Sequence, residues 1–169
     1  MKKLIKIFKQ VQKIPYKITP FNEKKIDINL KYGDCRHKTF LLKKLLKKEG
    51  YRPKITYVIF NWKNLPIPKK LTSILKKSGT LWGHKIVTLK IKNKELRLDP
   101  SWDPKLRKAK FPVTGKWKGK KNTKQITTGK LNFTSRKSVL NKKLQFNKKE
   151  AHLFANALNN YLERVRLRQ

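Results

Sequence analysis

Three residues occur in an order that suits thiol chemistry: Cys35, His84 and Asp99. In such a set a thiolate attacks an acyl carbon. An imidazole takes the thiol proton and later returns it to the leaving group, and a carboxylate fixes the imidazole tautomer and steadies its cation. Each residue also has a plainer reading. A lone cysteine is commonly a small buried residue, a strand histidine can be ordinary packing, and an aspartate before Pro100 can cap a turn. The choice rests on the elements that carry them.

Asp34 is placed to N-cap a helix whose apolar stripe is Leu41, Leu42, Leu45 and Leu46, with lysines opposite and Gly50 and Pro53 as the stop. Cys35 then falls in the first turn, where unpaired backbone N–H groups and the helix dipole favour a thiolate. Val87, Leu89 and Ile91 alternate as in a half-buried strand that His84 opens. Lys92-Asn93-Lys94 reads as a hairpin turn, and Glu95–Asp99 returns antiparallel with Leu96 and Leu98 inward. The hairpin brings His84 and Asp99 onto adjacent strands, and packing the Cys35 helix across that sheet closes the triad. The Cys35 N–H offers one oxyanion donor, with Gln12 and Tyr16 as candidates for a second. Trp82 and Trp102 flank the triad as packing or as substrate platforms. His37, two residues after the nucleophile, is expected to be structural or exposed.

The rest of the chain supports these elements. Residues 3–13 have helical spacing at Leu4, Ile5, Phe8, Val11 and Gln12, and Pro15 ends that helix. Residues 17–32 read as a polar loop, and Ile55–Phe60 as a buried strand. A short helix is expected over Lys70–Lys77. Residues 105–135 read as extended loop with one short strand, anchored by Phe111, Val113, Trp117 and Ile126. Asn147 and Glu150 form a capping-box-like start to an amphipathic C-terminal helix through Val165. The expectation is one α+β domain over residues 1–169, with 116–145 a basic, loop-rich stretch.

A single cysteine excludes an internal disulfide and cysteine-rich zinc sites. His37, His84 and His152 lack metal-ligand spacing, so neither a metal nor a cofactor is expected. Lysines interrupt Met1–Ile14 too often for a signal peptide, and no segment reads as a membrane span, which points to the cytoplasm. The formal net charge is +37. A surface of that charge attracts polyanions, but the lysines are spread widely and no nucleic-acid-binding signature accompanies them. The reading that fits is non-specific affinity for polyanions such as nucleic acid or acidic membrane, or adaptation to an unusual cell, rather than sequence-specific recognition.

The stretch Gly33-Asp34-Cys35-Arg36-His37-Lys38 with its helix to Gly50-Tyr51, then Gly83-His84, then Leu98-Asp99-Pro100-Ser101-Trp102-Asp103, resembles the transglutaminase-like branch of the papain-like cysteine enzymes. Val11–Tyr16, Leu65–Pro68, Phe111–Val113 and the helix carrying Phe154, Leu158, Asn159 and Leu162 also look like archaeal and bacterial members. The resemblance implies a papain-like α+β core with the nucleophile helix on a small antiparallel sheet and amphipathic helices at both ends. It implies Cys35, His84 and Asp99 as catalytic residues and acyl transfer from an amide of a peptide or protein through a thioester. Water is the acceptor in a peptidase or amidase, and an amine in cross-linking. Lys85, where many members carry an aromatic, and the high charge depart from the family pattern. The alternative is a basic nucleic-acid- or ribosome-associated protein on an inactive scaffold of this type; its oligomeric state is open.

Overall fold

The N-terminal helix forms where the sequence places it, because Leu4, Ile7, Phe8 and Val11 recur on one face and find a core to enter. A computed structural model describes residues 1–19 and 31–168 of the chain. Among them the fold is α+β, with five α-helices and a four-stranded antiparallel sheet. The helices are α1 (Lys2–Lys13), α2 (Cys35–Lys48), α3 (Lys69–Thr72), α4 (Arg136–Leu144) and α5 (Lys148–Leu167). The strands are β1 (Lys54–Asn61), β2 (Leu81–Ile91), β3 (Lys94–Leu98) and β4 (Asn132–Thr134), in the order β3-β2-β1-β4. The polar loop expected over 17–32 lies largely outside the described residues.

Two apolar clusters flank β2, so this strand is central and covered on both faces rather than half-buried. Val87 and Leu89 enter one cluster with α1, the leucines of α2, and Leu96 and Leu98 of β3. On the alternate positions Trp82, His84 and Ile86 are also buried, and Trp82 joins the second cluster with Phe60, Trp62, Trp102 and the apolar face of α5. Buried residues on both faces are what a central strand needs, and alternation read at three positions showed only one of them.

Register fixes the site. β1 and β2 pair Val58 with His84 and Phe60 with Trp82, while β2 and β3 pair Val87 with Leu98. The hairpin turn is two residues, Lys92 and Asn93, with Lys92 at φ +52°, so β3 starts at Lys94 and Asp99 lies just beyond its end.

Other boundaries shift for local reasons. α3 stops at Thr72 rather than continuing to Lys77. The hydroxyls of Thr72 and Ser73 donate back to the Lys69 and Lys70 carbonyls, and the chain turns away to Gly79 at φ +68°. Asn147 caps α5 by accepting from the Glu150 N–H at 3.1 Å. The capping box is not completed, since Glu150 accepts instead from the N–H groups of Lys77 and Ser78. The strand expected within 105–135 is β4, on the free side of β1, and Phe111, Val113, Trp117 and Ile126 are buried as expected.

Candidate active site

Asp34 begins the site. Its carboxylate accepts from the Arg36 N–H at 2.9 Å, capping α2, and also holds the Arg36 guanidinium at 2.6 Å and the His37 ring at 3.1 Å. Burial works against its charge, but the bonds from His37 and Arg36 win and hold the carboxyl well below its ordinary range. His37 is thus structural rather than exposed. The result is a fixed turn that presents Cys35, half-buried, at the first helical position. There its N–H has no intrahelical acceptor.

His84 and Asp99 meet in the interior. Nε2 of His84 lies 2.8 Å from Oδ2 of Asp99, with both side chains almost wholly inaccessible. The other carboxylate oxygen accepts from the Ser101 N–H at 3.1 Å and the Ser101 hydroxyl at 2.5 Å. The Asp99 N–H donates to Thr123 at 2.8 Å, which secures the backbone from a third segment. Since Asp99 engages Nε2, Nδ1 is the nitrogen left for the thiol. No hydrogen bond of regular geometry reaches Nδ1 among the described residues, yet Cys35 stands close enough to act on the ring's charge. Burial alone pushes the imidazole down; Asp99 and Cys35 outweigh it and push it up to about 10.

A cavity of about 150 Å³ opens at Cys35 and His84. Its walls are aromatic (Tyr16, Phe60, Trp62, Trp82, Phe146), and Val139 and Leu140 of α4 close one side. Gly83 permits that closure, because a Cβ there would overlap Val139 Cγ1. A larger cleft of about 620 Å³ lies beside α3, but it is lined by lysines, hydroxyls and aliphatic groups and holds no nucleophile–base pair.

The four weaker candidates separate. Tyr16 lines the cavity, beside Gly33 through a pair of backbone bonds, Gly33 N–H to Pro15 and Lys17 N–H to Gly33. Burial, then the charges of Cys35 and Asp34, raise its phenol well above the usual value, so it stays a neutral O–H donor. Trp82 also lines the cavity, stacked on Phe146 with ring centres 4.9 Å apart. Gln12 does not reach the cavity, because its amide donates to the Thr114 carbonyl at 3.1 Å. Trp102 does not reach it either. Its ring packs on Tyr16 and Phe111, and its N–H donates to Ile126 at 2.7 Å.

Sequence reasoning missed the residues that hold these parts in place. Lys38, one turn after Cys35, is fully buried, and its ammonium donates to the carbonyls of Gln12 (3.2 Å), Ile14 (2.6 Å) and Ser101 (2.8 Å). Burial pushes it down to about 7 against the upward pull of Asp103 and Asp99. Asp103 accepts from the Tyr16 N–H at 3.1 Å and pairs with Arg166 at 2.8 Å, and Arg166 donates to the Tyr16 carbonyl at 2.8 Å. Asn159 binds both backbone groups of Ile18. For Lys38, Asn159 and Arg166 the one signal was a charged or amide residue on an apolar helix face.

Among the described residues no group of His, Cys, Asp and Glu side chains could hold a metal ion, and no helix is long and apolar enough to cross a membrane. Compared with family models, curated proteins and solved structures, the chain matches none.

Proposed function

We propose that the chain is a cysteine-dependent acyl-transfer enzyme with a transglutaminase-like, papain-like core, acting on an amide of a peptide or protein. The observation that carries this reading is the buried His84–Asp99 pair with Cys35 close enough to its imidazole to favour the charged ring, at the mouth of an aromatic cavity. An imidazolium paired with a thiolate is the resting form that thiol nucleophiles use.

In the proposed reaction the Cys35 sulfur forms a bond to the amide carbon while His84 holds the thiol's proton. The tetrahedral oxyanion takes hydrogen bonds from the Cys35 N–H and the Tyr16 hydroxyl. The carbon–nitrogen bond then breaks, and the His84 proton leaves on the departing amine. Water or a second amine adds to the thioester, giving its proton to His84, and the carbon–sulfur bond breaks to restore the thiolate. Asp99 keeps Nε2 protonated throughout, so that Nδ1 is the working nitrogen. Ser101 and Thr123 hold Asp99 still.

Iodoacetamide labelling with mass readout tests this. Cys35 should be carboxamidomethylated readily at neutral pH, and His84→Gln should slow the reaction at least about tenfold by removing the balancing cation. A rate that follows an ordinary thiol, titrating at about 8.5, and is indifferent to His84 would sink the proposal.

A further inference from the structure

The strongest feature outside the cavity is the outer face of α1. Lys2, Lys6, Lys9 and Lys13 are all exposed, and their spacing puts them on one stripe about 17 Å long at about 1.5 Å per residue. Two remote segments extend it. Lys3 pairs with Glu49 at 2.7 Å, which sets the exposed Lys47 and Lys48 at the end of α2 beside the start of α1. Trp117 packs on Phe8 with ring centres 4.9 Å apart, and Gly119 lies against Met1 and Ile5, so the exposed lysines of the 116–121 loop flank the same helix. Glu49, the acid within this arrangement, is already engaged by Lys3.

We infer that this face docks the phosphate backbone of a nucleic-acid strand, without reading its sequence. The alternative polyanion is an acidic membrane, which basic amphipathic helices bind by sinking their apolar face among the lipid chains. That option is closed to α1. Its apolar face, Leu4, Ile7, Phe8 and Val11, is spent in the core with the leucines of α2 and Trp117, so the outer face presents mainly charge. A face dominated by lysines, with Gln10 the exposed amide of α1 and no exposed aromatic on that helix, suits phosphates rather than bases. The Lys2 end of the face, beside Lys47 and Lys48, is remote from the proposed active site, since Cys35 and Lys48 stand at opposite ends of α2, about 20 Å apart, while its Lys13 end runs towards Lys38, which bonds the Gln12 and Ile14 carbonyls.

The test is fluorescence anisotropy of the whole chain with labelled single-stranded RNA, the same-sequence DNA, and phosphatidylserine vesicles, across a range of salt. The triple variant Lys2→Gln, Lys6→Gln, Lys9→Gln, which leaves the Lys13 end near Lys38 untouched, is compared with an equal removal of charge at Lys69, Lys70 and Lys76, which are exposed on and beside α3. RNA and DNA should bind alike, with affinity falling as salt rises. At about 0.7 per phosphate contact on a single strand, the α1 variant should lose about 2 from the slope of log K against log salt, and about tenfold or more in affinity. The α3 variant should lose far less. Equal losses in the two variants, or vesicles bound in preference to nucleic acid, would overturn the inference. Cys35 labelling at the wild-type rate in the α1 variant checks that the fold is intact, and it keeps this result independent of the acyl-transfer reading.

Discussion

Replacing Lys38 with methionine removes an ammonium whose three N–H groups serve the carbonyls of Gln12, Ile14 and Ser101. Methionine fills the space of the aliphatic stem but donates nothing. Each carbonyl that stays dry and unpaired costs about 1–3 kcal/mol. Against this, the fold no longer buries a cation, a relief of several kcal/mol. The balance falls on the side of loss, because the acceptors remain while the donor goes, and about 3 kcal/mol is the expected net destabilisation. For a chain of this length that lowers the thermal midpoint by about 6–12 °C. Iodoacetamide labelling below the midpoint supplies the second readout. Ser101 binds Asp99 through its N–H and hydroxyl, so freeing its carbonyl loosens the loop that orients His84, and labelling should slow. An unchanged midpoint together with an unchanged labelling rate would falsify the keystone role assigned to Lys38.

The His84–Asp99 pair gives stability a pH signature. The folded imidazole lies at about 10 against an ordinary 6.5, so its contribution is complete below about 6.5 and is lost as pH climbs towards 10; subtracting the denaturation profile of His84→Gln from that of wild type should reveal this loss, and parallel profiles would contradict it. Gly83→Ala places a methyl group into Val139, whose β-branched side chain has little room to yield, so α4 should lift from β2. Faster proteolytic cutting within α4 and faster Cys35 labelling are the expected results, and unchanged rates for both would show that Gly83 is not the contact that seats it. Arg166→Met leaves Asp103 charged and buried, a cost of about 3–5 kcal/mol, and also frees the Tyr16 carbonyl; a midpoint within a degree or two of wild type would refute it, while Asp103→Asn together with Arg166→Met should recover part of the loss.

What the sequence made legible was whatever has a local physical signal. Asp34 before an apolar stripe announces a cap and the helix it opens, and the cap bond forms with Arg36. The hairpin between β2 and β3 follows from alternation and a turn, and with it the meeting of His84 and Asp99. α4 escaped notice because its apolar content is slight, Val139 and Leu140 among lysines, and its N-cap, Ser135 accepting from the Ser138 N–H, is a weak cue. Nothing near α4 in sequence says that it will sit over Gly83. Glu150 has the right spacing for a capping box, but the turn at Lys77 and Ser78 offers its carboxylate two N–H groups, a competition visible only in three dimensions. Lys38, Asp103, Asn159 and Arg166 had partners hidden for the same reason. Each reaches backbone distant in sequence, Arg166 to Tyr16 and Asn159 to Ile18, and such pairings leave no period behind.

The scarcity of acids joins the two halves of the molecule's electrostatics. Of nine in the sequence, Glu23 and Asp27 lie outside the described residues, and each of the others has a partner. Asp34, Asp99 and Asp103 are buried against Arg36 and His37, His84, and Arg166. Glu49, Glu95 and Glu163 pair with Lys3, Arg97 and Arg166, and Glu150 holds the turn before β2. The buried carboxylates therefore remain where backbone or an internal cation needs them, Glu49 and Glu95 sit in surface ion pairs, and the described surface carries little uncompensated negative charge. Exposed cations repel one another across solvent and are screened by salt over about 10 Å. The His84–Asp99 contact lies in the interior, where salt hardly reaches. The surface charge and the proposed catalytic pair thus respond to different variables, the first to ionic strength and the second to pH. A basic face that docks nucleic acid and a thiol that transfers acyl groups make no conflicting demands on this fold.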